Sequence, residues 1–285
     1  MIKSTLCLAG NGWGAVSAYN SLKTTFPNIE LITNDDDLLR LKQENHKRIN
    51  NFNDSDSEYI ICAGYKPIIS KKELSQRKFI NIHYSLLPKY RGLHSTVWAI
   101  LNDEEYLGLT IHLMDEYIDN GDIISQYCIK NNRIDTSEFY MSHFNKWIEN
   151  NLSSIILKYL NKEIEPVKQD YNIATWVGKR NIEDCRINFS QNHNYLKAFF
   201  RALVSPYPIP FIEMKSNNER YFVSKASFIE RNIISHFGRI LNVDNQGVYV
   251  GSKDGYVILQ EICDKNNTIV DNSIFKIGSY LIQQR

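Results

Sequence analysis

Residues 79–126 read FINIHYSLLPKYRGLHSTVWAILNDEEYLGLTIHLMDEYIDNGDIISQ. Apolar Phe79, Ile80 and Ile82 surround Asn81 and His83, which favours a strand. Residues two apart in a strand face the same way, so Asn81 and His83 project side by side. The turn Ser85-Leu86-Leu87-Pro88 follows at once. Residues 109–114 read as a second buried strand, running into 115–122, where Asn120 and Gly121 mark a sharp turn. Residues 95–102 between them read as a short helix. Strand, helix, strand at this spacing predicts a crossover with the two strands as parallel neighbours. Loops at the carboxyl ends of parallel strands build the sites of such folds, which lets Asp119 face Asn81 and His83.

A carboxamide, an imidazole and a carboxylate suit one reaction well: a neutral amine attacking a formyl carbon. The carbonyl oxygen turns into an oxyanion while the nitrogen gains positive charge. The Asn81 amide and a His83 N–H are the expected oxyanion donors, each worth roughly 2.7–4 kcal/mol of barrier when well placed. Asp119 is expected to orient His83 and to accept the proton leaving the nitrogen. No covalent nucleophile is needed.

The stretch resembles the folate-dependent formyltransferases, which show Asn-x-His, Ser-Leu-Leu-Pro, Arg-Gly, Thr-x-His-x-Met-Asp-Glu and Asp-x-Gly in that order. Here these are Asn81/His83, 85–88, Arg91-Gly92, Thr110/His112/Met114-Asp115-Glu116 and Asp119/Gly121. The resemblance implies 10-formyltetrahydrofolate as donor and direct formyl transfer to an amine, with Asn81, His83 and Asp119 catalytic. It also implies that Tyr65, Ile68, Leu86, Met114, Asp115, Ile118 and Asp119 line the folate. Gly12, Tyr84, Ser85, Lys89, Arg91, His94, Lys179 and Arg180 are the implied acceptor contacts. Tyr84 and Asn120 depart from the family's usual residues. His112, inside a strand, reads as a hydrogen-bonded core histidine.

Working outward, residues 5–9 read as a strand, Gly10-Asn11-Gly12-Trp13-Gly14 as a turn, 15–25 as a helix and 28–32 as a second strand. Three glycines followed by Glu30 invite a dinucleotide reading, but the third glycine comes one residue early for G-x-G-x-x-G. Residues 34–57 are polar, with Asp35, Asp36, Asp37, Asp54 and Asp56 beside a few basic residues. A phosphate-rich RNA gains little from such a segment. Residues 58–63 read as a strand and 71–76 as a helix; in the family, the intervening Gly64 loop packs on the pterin. Residues 136–159 carry apolar residues at helical spacing. The pair Lys179-Arg180 reads either as pyrophosphate donors or as a solvated linker pair.

After a helix from Ser190, short alternating runs at 211–215, 220–228, 238–242, 247–250 and 256–262 predict a small antiparallel barrel or sandwich. Residues 273–278 resemble the family's closing strand. The expected fold is therefore α/β: a Rossmann-like, mostly parallel sheet over residues 1–178, a connector at 179–188, and a smaller β-rich, oligonucleotide-binding-type domain over 189–285. That fold label says nothing about nucleic acid.

The chain has 285 residues, 43% hydrophobic and 23% charged, with a net charge of +1. These values are near the globular average and give no surface built as a whole for polyanions. Five scattered cysteines without a Cys-x-x-Cys suggest free thiols in a reducing cytoplasm. No apolar run approaches the ~18 residues of a membrane span, and no set of side chains has metal-ligand spacing, so neither membrane nor metal is expected. The balanced charge and acidic early segment favour a nucleotide-linked amino sugar as acceptor: a dTDP-linked 3- or 4-amino-dideoxyhexose first, a UDP sugar second, with the base on Trp98, Trp176 or Tyr207. The product would feed surface polysaccharide such as O-antigen. No nucleic-acid partner is expected, and a homodimer contact through the β-rich domain stays open.

Overall fold

The computed structural model describes residues 5–283. They form two units: one takes the chain up to Thr96 with Tyr106–Lys130 and Phe139–Gly178, the other Val97–Glu105, Asn131–Glu138 and the chain from Lys179 on.

The first unit holds a sheet of β1 (Leu6–Gly10), β2 (Ile29–Ile32), β3 (Lys47–Arg48), β4 (Tyr59–Ala63) and β5 (Lys78–His83). The chain also contains a two-residue β6 (Arg91–Gly92), then β7 (Tyr106–Leu113) and β8 (Ile123–Lys130). The order across the large sheet is β3-β2-β1-β4-β5-β7-β8. The first five strands are parallel. β1 and β2 are buried at every position, as strands covered on both faces must be. α1 (Trp13–Leu22), α2 (Asp36–Leu41), α3 (Lys71–Gln76) and α4 (Ser95–Leu101) connect them, and α5 (Ser137–Leu160) follows β8. On α5, Tyr140, Phe144, Ile148, Leu152 and Ile156 are all buried. A spacing of four residues keeps them on one slowly winding face.

One expectation fails. β5 and β7 are neighbours, but antiparallel: Asn81 lies opposite His112 and His83 opposite Thr110. The hydroxyls of Ser95 and Thr96 both donate to the Tyr84 carbonyl at 3.0 Å. The eleven-residue turn therefore brings the chain back to where β5 ended. α4 then supplies only 7 residues, ~10 Å of rise. The chain then re-enters the sheet from the end where β5 stopped, which makes β7 antiparallel to it. β8 continues the antiparallel run on β7.

In the second unit, β10 (Phe211–Glu213), β11 (Arg220–Glu230), β12 (Ile240–Asp244), β13 (Gly247–Ser252) and β14 (Gly255–Cys263) form an antiparallel sheet, ordered β10-β11-β14-β13-β12. α6 (His193–Ala202) rests on β11 through Phe200 against Phe228. The last described segment closes the sheet on itself. Ile282 N–H donates to Glu213 O at 2.8 Å and Lys215 N–H to Tyr280 O at 3.0 Å. On the other edge Leu281 N–H donates to Gly238 O and Ile240 N–H to Ser279 O, both at 2.9 Å. The closing residues are thus 278–282, with Gly278 N–H donating to Ile240 O at 2.8 Å; of the expected 273–278 only the end takes part, and Asn272–Ile274 forms a 3-10 turn capped by Asp271. The short pair β6–β9 (β9, Trp176–Val177) is parallel and belongs to the first unit.

Candidate functional site

The antiparallel pairing sets a problem at the end of β7. Leu113 lies beside Ile80, at the start of β5 rather than its end. The loop from Met114 must double back to reach Asn81 and His83, and it does. Gly121 makes the return close to the strand: a Cβ there would sit 2.0 Å from the Leu113 carbonyl oxygen. Asp119 sits in the left-handed region, φ 49°, which costs a non-glycine residue on the order of 1 kcal/mol, Asp and Asn tolerating it best.

That path places the Asp119 carboxylate among four donors or rings. Oδ1 accepts from Asn81 Nδ2 at 3.3 Å and faces His112 Nε2 at 3.6 Å. Oδ2 accepts from the Gly92 N–H at 2.8 Å and faces His83 Nδ1 at 3.5 Å. The imidazoles meet edge to face, centroids 6.4 Å apart. His112 was read as a core histidine, and it is buried; yet its ring shares both Asn81, at 3.2 Å, and Asp119. The register found it a place: with β7 antiparallel, residue 112 lies directly opposite Asn81.

The carbonyls fix the tautomers, since a carbonyl oxygen only accepts. His112 Nδ1–H donates to Leu113 O at 2.6 Å, leaving Nε2 toward Asn81 and Asp119. His83 Nε2–H donates to Tyr90 O at 2.9 Å. The expected His83 oxyanion donor is therefore already committed, and the neutral ring turns a lone pair on Nδ1 toward Asp119.

The charges agree. Burial pushes the His83 pKa down, and His112 adds to this, against the pull of Asp119 and the Tyr90 carbonyl. Burial alone would raise Asp119; the His112 ring at Oδ1 and the charges that His83 and His112 carry when protonated, with the Gly92 amide, outweigh it and hold Asp119 at about 2. At neutral pH the pair is a carboxylate beside a neutral imidazole. Among the described residues no three His, Cys, Asp or Glu form a metal-binding group.

The other implied contacts separate into groups. Met114 and Tyr65 pack on the core cluster containing Phe52 and Phe79. Ile68 is 97% exposed and Ile118 69%, on two loops joined by the Lys71–Glu116 ion pair. Leu86 packs where a side chain on Gly108 would stand. Asp115 is turned into its own loop, accepting from Tyr117 N–H and Asn120 Nδ2. Ser85 is buried, its hydroxyl donating to Lys89 O. Tyr84 donates to Asn145 at 2.5 Å, its hydroxyl against Gly14. His94 is left-handed, φ 62°.

Arg91 has a different task from the expected one. It is 2% exposed, donates to Gln169 Oε1 at 2.8 and 3.2 Å, and stacks on Trp176 and Tyr171. Its planar group is held inside the unit and does not face solvent phosphates. Trp176 is thereby occupied on one face. Lys179 and Arg180 lie in the second unit, where Arg180 covers Trp98 at 4.9 Å and donates to Asp184 O. Two residues went unnoticed in the sequence, Gln169 and Tyr90; both act through groups whose partners only the folded chain brings near.

The glycine turn after β1 is closed to a dinucleotide. Gly12 N–H, where a phosphate would dock, donates to Asp35 Oδ2 at 2.6 Å. Glu30, the candidate ribose ligand, is buried and takes the Ser55 hydroxyl at 2.5 Å. No described helix is long and apolar enough to cross a membrane.

Comparison with known proteins gives the family. The chain is similar to the methionyl-tRNA formyltransferases of Mesoplasma florum, 27% identical over 226 residues covering 79% of this chain and 71% of that one, and Clostridium novyi, 30% over 210 residues covering 72% and 66%. Among solved structures, an N-formyltransferase from Helicobacter canadensis in complex with folinic acid and dTDP-3-aminofucose superposes with a TM-score of 0.70 at 24% identity, over 91% of this chain and 99% of that one. A 4-N formyltransferase from Francisella tularensis gives 0.64 at 21%, over 78% and 97%. At these identities the structural likeness speaks for the fold. The family described as formyl transferase matches residues 20–156, and its C-terminal domain matches 180–278. With both halves matched, and with the amide, the rings and the carboxylate gathered inside the first, the chain belongs to the formyl transferase family, enzymes that transfer a one-carbon group.

Proposed function

We propose that this formyltransferase moves the formyl group of 10-formyltetrahydrofolate onto the amine of a dTDP-linked 3- or 4-amino-dideoxyhexose. The observation that carries the reaction is the convergence of Asn81, His83 and Asp119 within 3.3 to 3.5 Å contacts. Exposed apolar side chains offered to the donor's flat ring system are Tyr117 and Ile118, next to Asp119 in the chain, and Ile68, on the loop before α3 that the Lys71–Glu116 ion pair ties to theirs. When bound there, the folate supplies the activated formyl carbon.

The chain's own groups do the rest. Asn81 Nδ2 is held only by long bonds, 3.2 and 3.3 Å, so its N–H groups exchange readily toward a developing oxyanion. Asp119, ionised at neutral pH, takes the proton from the acceptor nitrogen. His83 Nδ1 stores it, because Tyr90 holds the other nitrogen protonated, and the same proton would return through Asp119 to the folate nitrogen as its bond to the formyl carbon breaks, which resets the pair. The roles of the ring and the carboxylate are therefore a relay, with His83 as proton store rather than oxyanion donor.

The acceptor reading rests on charge and on the neighbours. Asp36, Asp37, Asp54 and Asp56 are exposed on the segment between β2 and β4, which repels a polyanion. The Helicobacter canadensis neighbour was solved with dTDP-3-aminofucose. One observation favours a second reading, formylation of methionyl-tRNA: the sequence relatives bear that name. Incubation with 10-formyltetrahydrofolate and a panel of dTDP- and UDP-amino sugars and methionyl-tRNA decides. Tetrahydrofolate release with one dTDP-amino sugar is expected; turnover only with methionyl-tRNA ends the sugar reading.

A further inference from the structure

Asp119 is held at its backbone as well as at its carboxylate. Gln169 Nε2 donates to Asp119 O at 2.9 Å and to Gly121 O at 2.8 Å. Its Oε1 accepts from Arg91 Nε and Nη2 at 3.2 and 2.8 Å. A guanidinium only donates and a carbonyl only accepts, so a carboxamide is the group that answers both at once. Arg91 is fixed in turn by burial and by Trp176 and Tyr171.

Gln169 belongs to a strap that ties two loops together. Val167 exchanges both backbone bonds with Ile123, at 2.7 and 2.8 Å, just past the Asp119 loop. Thr175 accepts from Arg91 N–H through its carbonyl and from Tyr90 N–H through its hydroxyl, and donates to Pro88 O. The strapped loops carry Tyr90, which fixes the His83 tautomer, and Gly92, which binds Asp119 Oδ2.

We propose that Gln169 is a positioning residue, whose carboxamide keeps the Asp119–Gly121 backbone in the left-handed path that aims the carboxylate at His83 and His112. This rests on reading Asp119 and His83 as the proton relay, but it makes a prediction independent of turnover. The titratable groups facing His83 are Asp119 from its loop and His112 from β7. Asp119 raises the His83 pKa. Letting the carboxylate drift must therefore lower the pH at which His83 charges.

Two variants separate the contacts. Gln169→Glu keeps the Arg91 partner and removes the donors to the loop; Gln169→Met keeps the bulk and removes both. The intact chain, labelled at histidine, is titrated by NMR beside steady-state formyl transfer. In Gln169→Met, which adds no charge, the His83 titration and the acid limb of kcat/KM move to lower pH, and in Gln169→Glu, whose new carboxylate opposes that shift, the loss shows in kcat. A misplacement near 1 Å costs about 100-fold, so kcat falls by about 10- to 100-fold while KM for the folate and the amine changes by less than about threefold. An unmoved His83 titration in Gln169→Met overturns the proposal, whether or not the variants also melt earlier, because a mere strut would change stability and leave the ring's environment alone. The titration reads out even if no tested amine proves to be the acceptor.

Discussion

Asp35 and Asp119 sit in similar places, each beside a glycine turn at the end of a strand of one sheet, each accepting a glycine N–H, at 2.6 and 2.8 Å. Both carboxyls are held below their ordinary range. For Asp35 the main cause is the Leu38 amide, then Gly12. For Asp119 burial opposes and the two imidazoles prevail. The difference is in the partners. Backbone amides stabilise a carboxylate but cannot take its proton; an imidazole with a free lone pair can. The first acid is a helix cap, the second a relay.

The sharpest way to break that contrast is Asp119→Asn. It keeps the shape and removes the charge, and kcat should fall by about 10²–10⁴-fold, with KM much less affected. The His83 acid limb in the residual activity should move down in pH, because the charge that favoured the imidazolium is gone. Wild-type activity should lose its base below the ordinary histidine value of about 6.5, since His83 is depressed and a protonated ring stores nothing. A pH–rate profile of both proteins checks the sign; an acid limb above 6.5 in the wild type sinks the relay.

Next in size is the loop that delivers Asp119. Gly121→Ala puts a methyl 2.0 Å from Leu113 O, so the loop or β7 must shift. A loss of about 1–3 kcal/mol in a urea melt is expected, together with a fall in kcat. Unchanged stability would mean that the close return at Gly121 is not needed.

The trio could be picked out along the chain because its chemistry is local: Asn81 and His83 share a strand face, and Asp119 ends a recognisable turn. The direction of β7 could not. It depends on two hydroxyls, Ser95 and Thr96, folding an eleven-residue turn back onto Tyr84, and no periodicity records that. His112 is the buried, hydrogen-bonded histidine that its strand implies, but its pairing with Asn81 is set by register rather than spacing and is not legible along the chain. The burial of Arg91, an implied acceptor contact, is equally illegible, because its counterpart Gln169 is 78 residues away. β1, β2, β4 and β5, by contrast, show as short, mainly apolar runs, whereas the two-residue β3, Lys47–Arg48, is polar and exposed and leaves no such signal.

His112 now offers a finer test. Its ring lowers the His83 pKa and supports Asp119. His112→Gln should raise the acid limb toward the ordinary histidine value while cutting kcat by about tenfold, the worth of roughly one hydrogen bond to a charged group. A limb that stays or moves down would show that His112 is the bystander it was first taken for.

The smallest effect should come from the other carboxylate. Asp35 caps α2, its Oδ1 accepting from Leu38 N–H at 3.0 Å while Oδ2 holds Gly12. Asp35→Ala should cost about 1 kcal/mol of stability and leave kcat unchanged. The sign with pH follows from the depressed folded value: the cap's contribution is fully present above the unfolded pKa of about 3.9 and disappears as pH falls through the folded one. Melts of wild type and variant should therefore differ at pH 7 and converge in acid. A variant as stable as wild type at pH 7 would remove the cap. A variant with normal stability but impaired transfer would be more damaging, because it would bring the glycine turn after β1 into the chemistry and erase the distinction between the two acids.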